Sequence, residues 1–270
     1  MRRAFLCIFW IVQVFAQMIS FRQVAPEVLE ARLRTAHPKA AVRYERLRNL
    51  FLQDDCKGLV EQQVKGSKEP NLICSIEAAG DNPAEAPVIV VGAHMDCYGG
   101  DGVVDNWTGA IMLPSLAQFI PEAPRKHSFR FIGFAAEEKG LYGSKAYLKS
   151  LSKEERGRIR AVITMDSLGL TATKYWPNGS DPNLVQYAAN VAAALKVGFS
   201  GVNVDGAGTT DSQTFHDAKS PTLSLHSVTP RTWMLINSPK DTWQILSFKD
   251  YADTHRLVSA LLVYLDQQLP

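Results

Sequence analysis

Apolar positions in this chain follow two rhythms. Short continuous runs at Val88–Gly92, Phe129–Ala135, Ala161–Met165 and Pro221–Leu225 predict buried strands. Longer stretches at Gly109–Ile120, Gly140–Leu151, Pro182–Leu195 and Asp250–Leu265 space their apolar residues as helices do. Strands that are apolar throughout, alternating with helices, predict an α/β fold: a largely parallel sheet covered by helices on both faces. Upstream, Leu59–Val64 and Asn71–Ile76 alternate and predict two neighbouring strands, while Glu27–Phe51 carries many arginines and predicts one or two exposed amphipathic helices. No repeat, low-complexity tract or linker interrupts the pattern, so residues 17–270 are expected to form one domain.

The first residues read differently. A basic start, Met1-Arg2-Arg3, an apolar run from Ala4 to Ala16 and the ending Val14-Phe15-Ala16 predict a signal peptide over residues 1–16, cleaved after Ala16, and hence a secreted or periplasmic protein. The run is shorter than the ~20 residues that span a bilayer, so no stable membrane span is expected after cleavage. With 270 residues, 46% of them hydrophobic, the chain can bury a full core. A net charge of +2 without a basic block or aromatic-basic stripe argues against a nucleic-acid partner. Oligomeric state is not legible. Removing the leader takes Cys7 and leaves Cys56, Cys74 and Cys97. Cys56 and Cys74 flank the two alternating runs and are expected to form a disulfide in an oxidising compartment; Cys97 is expected to fill space.

The candidate chemistry gathers where strands end, the rim at which open α/β sheets place their sites. After VIVVG comes AHMDCYGGDGVVDN, with His94, Asp96 and Asp105; FIGFAAEE ends in Glu137 and Glu138; AVITMD ends in Asp166. Three consecutive buried strands thus deliver carboxylates to one rim, where mutual repulsion is costly unless a cation offsets it. A histidine mixed with carboxylates suits zinc better than calcium or magnesium, with manganese and cobalt as alternatives. Of the adjacent Glu137 and Glu138, one can bind metal while the other takes a proton from water. Taken singly, a histidine or aspartate at a strand end is a turn former, a helix cap or a satisfied structural residue; the joint occurrence is what points to a site. No G-x-S-x-G elbow, H-E-x-x-H helix, P-loop or G-x-G-x-x-G after a strand is present.

The phrases GAHMD, VVDNWTGA, FAAEEKGLYGS and ITMDSLG resemble, in order and spacing, the co-catalytic zinc exopeptidases, a family that includes bacterial leucine aminopeptidases, aminopeptidase Y and glutaminyl cyclases. The similarity runs from about Val42 to the C-terminus. It implies a three-layer α/β/α sandwich with a mixed, mainly parallel eight-stranded sheet. It also implies two zinc ions bridged by Asp105, with His94 and Asp166 completing one site and Glu138 serving the other. Glu137 is the implied general base, and Asp96 the residue that orients the His94 ring. The resemblance further implies a cis bond between Asp105 and Asn106.

The last family ligand is missing. Where the family has histidine in a phrase like H-[ST]-P-x-D-T, this chain reads Asn237-Ser238-Pro239-Lys240-Asp241-Thr242. A neutral amide oxygen is a poorer zinc donor than imidazole, so the second site is expected to be weakened. His226 and His216 are nearby in sequence as substitutes, although histidines in such elements are commonly structural. Asp211 matches a polar position lining the family's pocket, where it meets the substrate's amino group or else caps the helix that follows. Trp107, Tyr175, Trp176 and Trp233 are candidates for an apolar wall, or for packing. The sequence therefore leaves three readings. The retained His94, Asp105, Glu137, Glu138 and Asp166 favour an exported zinc aminopeptidase acting on peptides. The alternatives are a metal-impaired relative that binds peptides and a glutaminyl cyclase-like acyltransferase; the cyclases rely on the site whose histidine is absent here.

Overall fold

The computed structural model of the protein describes residues 7–14, 17–120, 125–206 and 208–270. Its strands are β1 (Cys7–Val14), β2 (Gln17–Val24), β3 (Gly58–Gln62), β4 (Asn71–Ile76), β5 (Val88–His94), β6 (Ser128–Phe134), β7 (Ile159–Met165), β8 (Thr173–Tyr175), β9 (Phe199–Gly201) and β10 (Thr222–His226). Its helices are α1 (Pro26–Leu33), α2 (Ala40–Gln53), α3 (Thr108–Ala117), α4 (Tyr142–Ser150), α5 (Lys153–Gly157), α6 (Pro182–Leu195), α7 (Asp211–Asp217) and α8 (Phe248–Gln268).

The four apolar runs become the parallel centre of the sheet, in the order β6-β5-β7-β10. Among the described residues the full eight-stranded order is β3-β4-β6-β5-β7-β10-β8-β9, with β3, β4 and β8 each antiparallel to a neighbour. The sheet is therefore mixed and mainly parallel at its core, as expected.

Alternation along each strand feeds two cores. Ile89, Val91, Ala161, Ile163, Phe129 and Phe131 face α3, α6 and α8, whereas Val90, Val162, Ile132 and Phe134 face α4 and α7, where Phe215 and Tyr147 pack. Each large apolar side chain taken from water there is worth about 1.5–3 kcal/mol. Start signals agree with structure at α6: the Asp181 carboxylate accepts from the amides of Asn183 and Leu184, and Pro182 occupies the first turn.

One expectation changes. The arginine-rich segment predicted as exposed helices forms α1 and α2, whose Leu29, Leu33, Leu47 and Phe51 are fully buried in the main core. Two of the arginines that made it look polar are themselves buried: Arg32 pairs with Asp54 at 2.8 Å, and Arg43 binds backbone carbonyls. At the N-terminus, Cys7–Val14 pairs antiparallel with Gln17–Val24, and Val14, Ile19, Phe21 and Val24 are buried where the hairpin meets α6 and α8. The expected leader thus overlaps a strand, and its residues 1–6, 15 and 16 lie outside the described residues. Among the described residues no helix is long and apolar enough to cross a membrane.

β3 and β4 pair as neighbours with Leu59 opposite Cys74, and Cys56 and Cys74 form a disulfide.

Candidate metal centre

β5, β6 and β7 are adjacent and parallel, so their carboxyl ends emerge side by side. His94 is the last residue of β5, Glu137 and Glu138 follow β6 by a short turn, and Asp166 directly follows β7. The turns are tight: Ala136 and Ser167 sit at φ 55° and 53°, a left-handed conformation that side-chain-bearing residues seldom adopt. Asp105 comes from the glycine-rich loop before α3, and its bond to Asn106 is cis. The Asn106 side chain stitches this loop to β7, donating to the Met165 carbonyl at 2.8 Å and accepting from the amides of Gly109 and Ser167.

The side chains converge. His94 Nε2 stands 3.1 Å from Asp105 Oδ1 and 3.7 Å from Asp166 Oδ1. Donor atoms of His94, Asp105 and Asp166 lie within 4.8 Å of one another, and so do those of His94, Glu137 and Glu138. All five open into a cavity of about 300 Å³, which Asn237 also lines. A Cβ at Gly100 would fall 2.4 Å from the Ser238 carbonyl oxygen, so the glycine loop can lie flat against the segment carrying Asn237.

Asp96 does something other than expected. Its carboxylate accepts the backbone N–H of Glu137 at 3.1 Å and of Glu138 at 3.2 Å, while its contact with His94 Nδ1 is 3.7 Å, too long for a hydrogen bond. The ring is instead met by the Asp96 backbone carbonyl at 3.2 Å. Asp96 therefore aims the glutamate pair and supports the ring through its backbone.

The electrostatics of this cavity call for a cation. Burial foremost pushes Glu137 up to about 10, with His94 opposing and Asp211, Asp166 and Asp105 adding to the rise. Burial and Asp105 push Glu138 up to about 7, and Asp105 itself is raised by burial and by Asp166. Burial works against a proton on His94, but Glu137, Asp166 and Asp105 outweigh it and hold the ring well above its usual value. Asp166 stays low because His94 overcomes its burial. One oxygen of Glu138, buried, has no hydrogen-bond partner. A mixed nitrogen and carboxylate donor set with an unsatisfied oxygen fits a divalent ion of zinc's type.

Other candidates fall elsewhere. Asp211, at the start of α7, is buried with neither oxygen hydrogen-bonded and is pushed up to about 7, chiefly by burial; its neighbour Thr210, not Asp211, lines the cavity. His226 lines the cavity, but its Nε2 meets the Val202 carbonyl and its Nδ1 accepts from the Val228 amide, which leaves no free nitrogen for a metal. His216 sits in a separate shallow hollow beside Lys219 and Pro221. Cys97 is half-buried, and burial pushes its thiol up, as a space-filling residue allows. Among the described residues that line the cavity, none of the four aromatic candidates appears. Trp107 is core and Trp233 is exposed, while Val204, Val228 and Ile236 supply the apolar surface. Single aliphatic residues in loops carried no sequence signal for this role. Arg43 likewise carried no sequence signal for its bond to the loop before Asp105, and Asp241, present in the Asn237–Thr242 phrase, carried none for its grip on the Asp105 amide.

The sequence profile of peptidase family M28 matches residues 71–262. Aminopeptidase YwaD of Bacillus subtilis (strain 168) is 29% identical over 163 residues, 58% of this chain and 33% of YwaD, so the chain spans about a third of that relative's length. Among solved structures, BSAP, a zinc aminopeptidase from Bacillus subtilis, superposes with a TM-score of 0.65 at 22% identity, covering 72% of this chain and 49% of BSAP. The glutaminyl cyclase of Porphyromonas gingivalis superposes with a TM-score of 0.71 at 16% identity, covering 88% and 96%. At such identities both likenesses speak for the fold.

Proposed function

Because the chain belongs to peptidase family M28, we propose that it is a zinc-dependent exopeptidase, an aminopeptidase that removes N-terminal residues from peptides. The convergence of His94, Asp105 and Asp166 with Glu137 and Glu138 in one cavity carries this reading. His94 and Asp166 would hold one zinc with Asp105, and Glu138 and Asn237 would hold a second, more weakly because an amide replaces imidazole. Bound zinc supplies Lewis acidity toward a peptide carbonyl and acidifies a water near neutral pH. Glu137 takes the proton from the attacking water and returns it to the leaving amine. Asp96 keeps both glutamates aimed inward through their amides, and the charge of Asp211 acts on Glu137. Val204, Val228 and Ile236 suit an uncharged side chain on the residue released.

Export, with cleavage after Ala16, belongs to the same reading. It rests on the basic start and apolar run, and the Cys56–Cys74 disulfide suits an oxidising compartment. Cleavage there removes β1 from its pairing with β2, and N-terminal sequencing of secreted protein that begins at Met1 would sink it.

The test of the activity is release of free N-terminal residues from a mixture of unblocked peptides, with zinc and then with a chelator. Chelator-sensitive release that disappears in Glu137→Gln supports the aminopeptidase. A second reading, a peptide-binding relative whose metal centre is impaired, is favoured by Asn237 at the ligand position. It predicts no release from the natural chain and recovery in Asn237→His; silence in both rejects the metal reading. Conversion of an N-terminal glutamine peptide to a blocked product without release would mark a cyclase.

A further inference from the structure

Arg43 lies in the first turn of α2, is fully buried and takes no part in lining the cavity. Its guanidinium nevertheless touches both ends of the loop that separates the two halves of the metal centre. Nε donates to the carbonyl of Met95, the residue between His94 and Asp96. Nη1 donates to the carbonyls of Gly102, at 3.0 Å, and Asp101, at 3.3 Å, just before the Val103-Val104-Asp105 turn. The guanidinium carbon sits 5.1 Å from the centre of the Trp107 ring, which closes off the other side. A buried cation whose bonds go to neutral carbonyls needs nearby negative charge to be tolerated. Asp96, Asp105 and Asp241 act on it, and the first two belong to the centre itself.

We propose that Arg43 is a positioning residue of the metal centre: by holding the Met95 and Gly102 carbonyls in one rigid fork, it sets the distance at which His94 and Asp105 face each other. The planar guanidinium reaches both carbonyls at once, which a lysine ammonium on a flexible stem cannot reproduce. The 3.1 Å approach of His94 Nε2 to Asp105 Oδ1 is the dimension it governs. This inference rests on the reading of the cavity as a metal site, and its role is separable from that reading because Arg43 supplies no ligand.

The experiment is a Co²⁺ titration of the purified chain, followed by visible absorption, with Arg43→Lys and Arg43→Ala beside the natural protein and near-ultraviolet circular dichroism to confirm folding. Both variants are expected to bind Co²⁺ about tenfold or more weakly and with altered absorption bands, as loss of an outer partner of metal ligands does. Methylguanidinium is expected to restore the natural spectrum to Arg43→Ala and to leave Arg43→Lys unchanged. Arg43→Lys keeps the charge and the stem, and it carries the test if the alanine variant does not fold. Natural affinity and spectrum in folded Arg43→Lys would show that charge alone matters and overturn the proposal. So would tighter binding by Arg43→Ala, the result expected if Arg43 merely repels the ion. Absence of any defined Co²⁺ site in the natural protein would instead remove the metal reading, and this role with it.

Discussion

Asp241 holds the backbone of Asp105 from 136 residues away: its Oδ2 accepts the Asp105 N–H at 2.9 Å, and its Oδ1 accepts that of Val104 at 2.7 Å. The side chain is fully buried, so the two amides have no water to turn to if it is removed. Asp241→Ala is expected to lower metal affinity by about 10–100-fold and stability by about 1–3 kcal/mol. Competition against a chromophoric chelator, alongside urea denaturation of the metal-free chain, separates the two effects. Unchanged affinity in a destabilised variant would make Asp241 structural only.

Asn237 stands at the cavity where the proposed second ion lacks an imidazole. In Asn237→His, zinc retained per chain after dialysis is expected to rise toward two, read by elemental analysis, together with faster peptide hydrolysis. If retention does not change, Asn237 does not occupy a ligand position.

Burial, with the charge of Arg32 adding to it, pushes His255 from 6.5 down to about 3. The unfolded chain therefore binds a proton there from pH 6.5 downward while the native chain does not. Stability attributable to His255 is complete above pH 6.5 and is lost as pH falls toward 3, at up to about 1.4 kcal/mol per pH unit. In His255→Gln, the drop in stability between pH 6.5 and 5 is expected to be smaller than in the natural protein by about 2 kcal/mol. Urea midpoints of both proteins at the two pH values give this double difference. Equal drops would mean that His255 is protonated in the native state.

The Cys56–Cys74 bond closes a loop of 18 residues in sequence at the edge of the sheet. Its removal in a Cys56→Ser, Cys74→Ser double variant is expected to cost about 3 kcal/mol through the freedom regained by the unfolded chain. Denaturation of the natural protein with and without reductant should show the same loss, and a loss confined to the variant would point to packing instead.

The strands at the centre of the sheet and the site at their ends were legible for a related reason. A strand buried on both faces must be apolar throughout, so VIVVG or AVITM stands out, and any polar residue that follows marks the rim. His94, Glu137, Glu138 and Asp166 lie within a few residues of such runs. The three-residue strands β8 and β9 were invisible because they are too short for a period to register. Residues 7–14 read locally as part of a leader, and nothing local reveals that they pair with 17–24 and meet α6 in the fold.

What the sequence determined by itself was the set of chemistries: an apolar framework, and one histidine and several carboxylates whose charges demand a cation. These are properties of residue type and short-range order. Which residues support that set was decided only in three dimensions. Arg43 and Asp241 reach the Asp105 loop from distant parts of the chain, Asp96 turns from the His94 ring to the Glu137 and Glu138 amides, and His226 has both nitrogens spent on backbone. Hydrogen bonds are directional and short, so a partner is chosen by where the packed core carries each backbone segment, and that placement is a property of the whole fold.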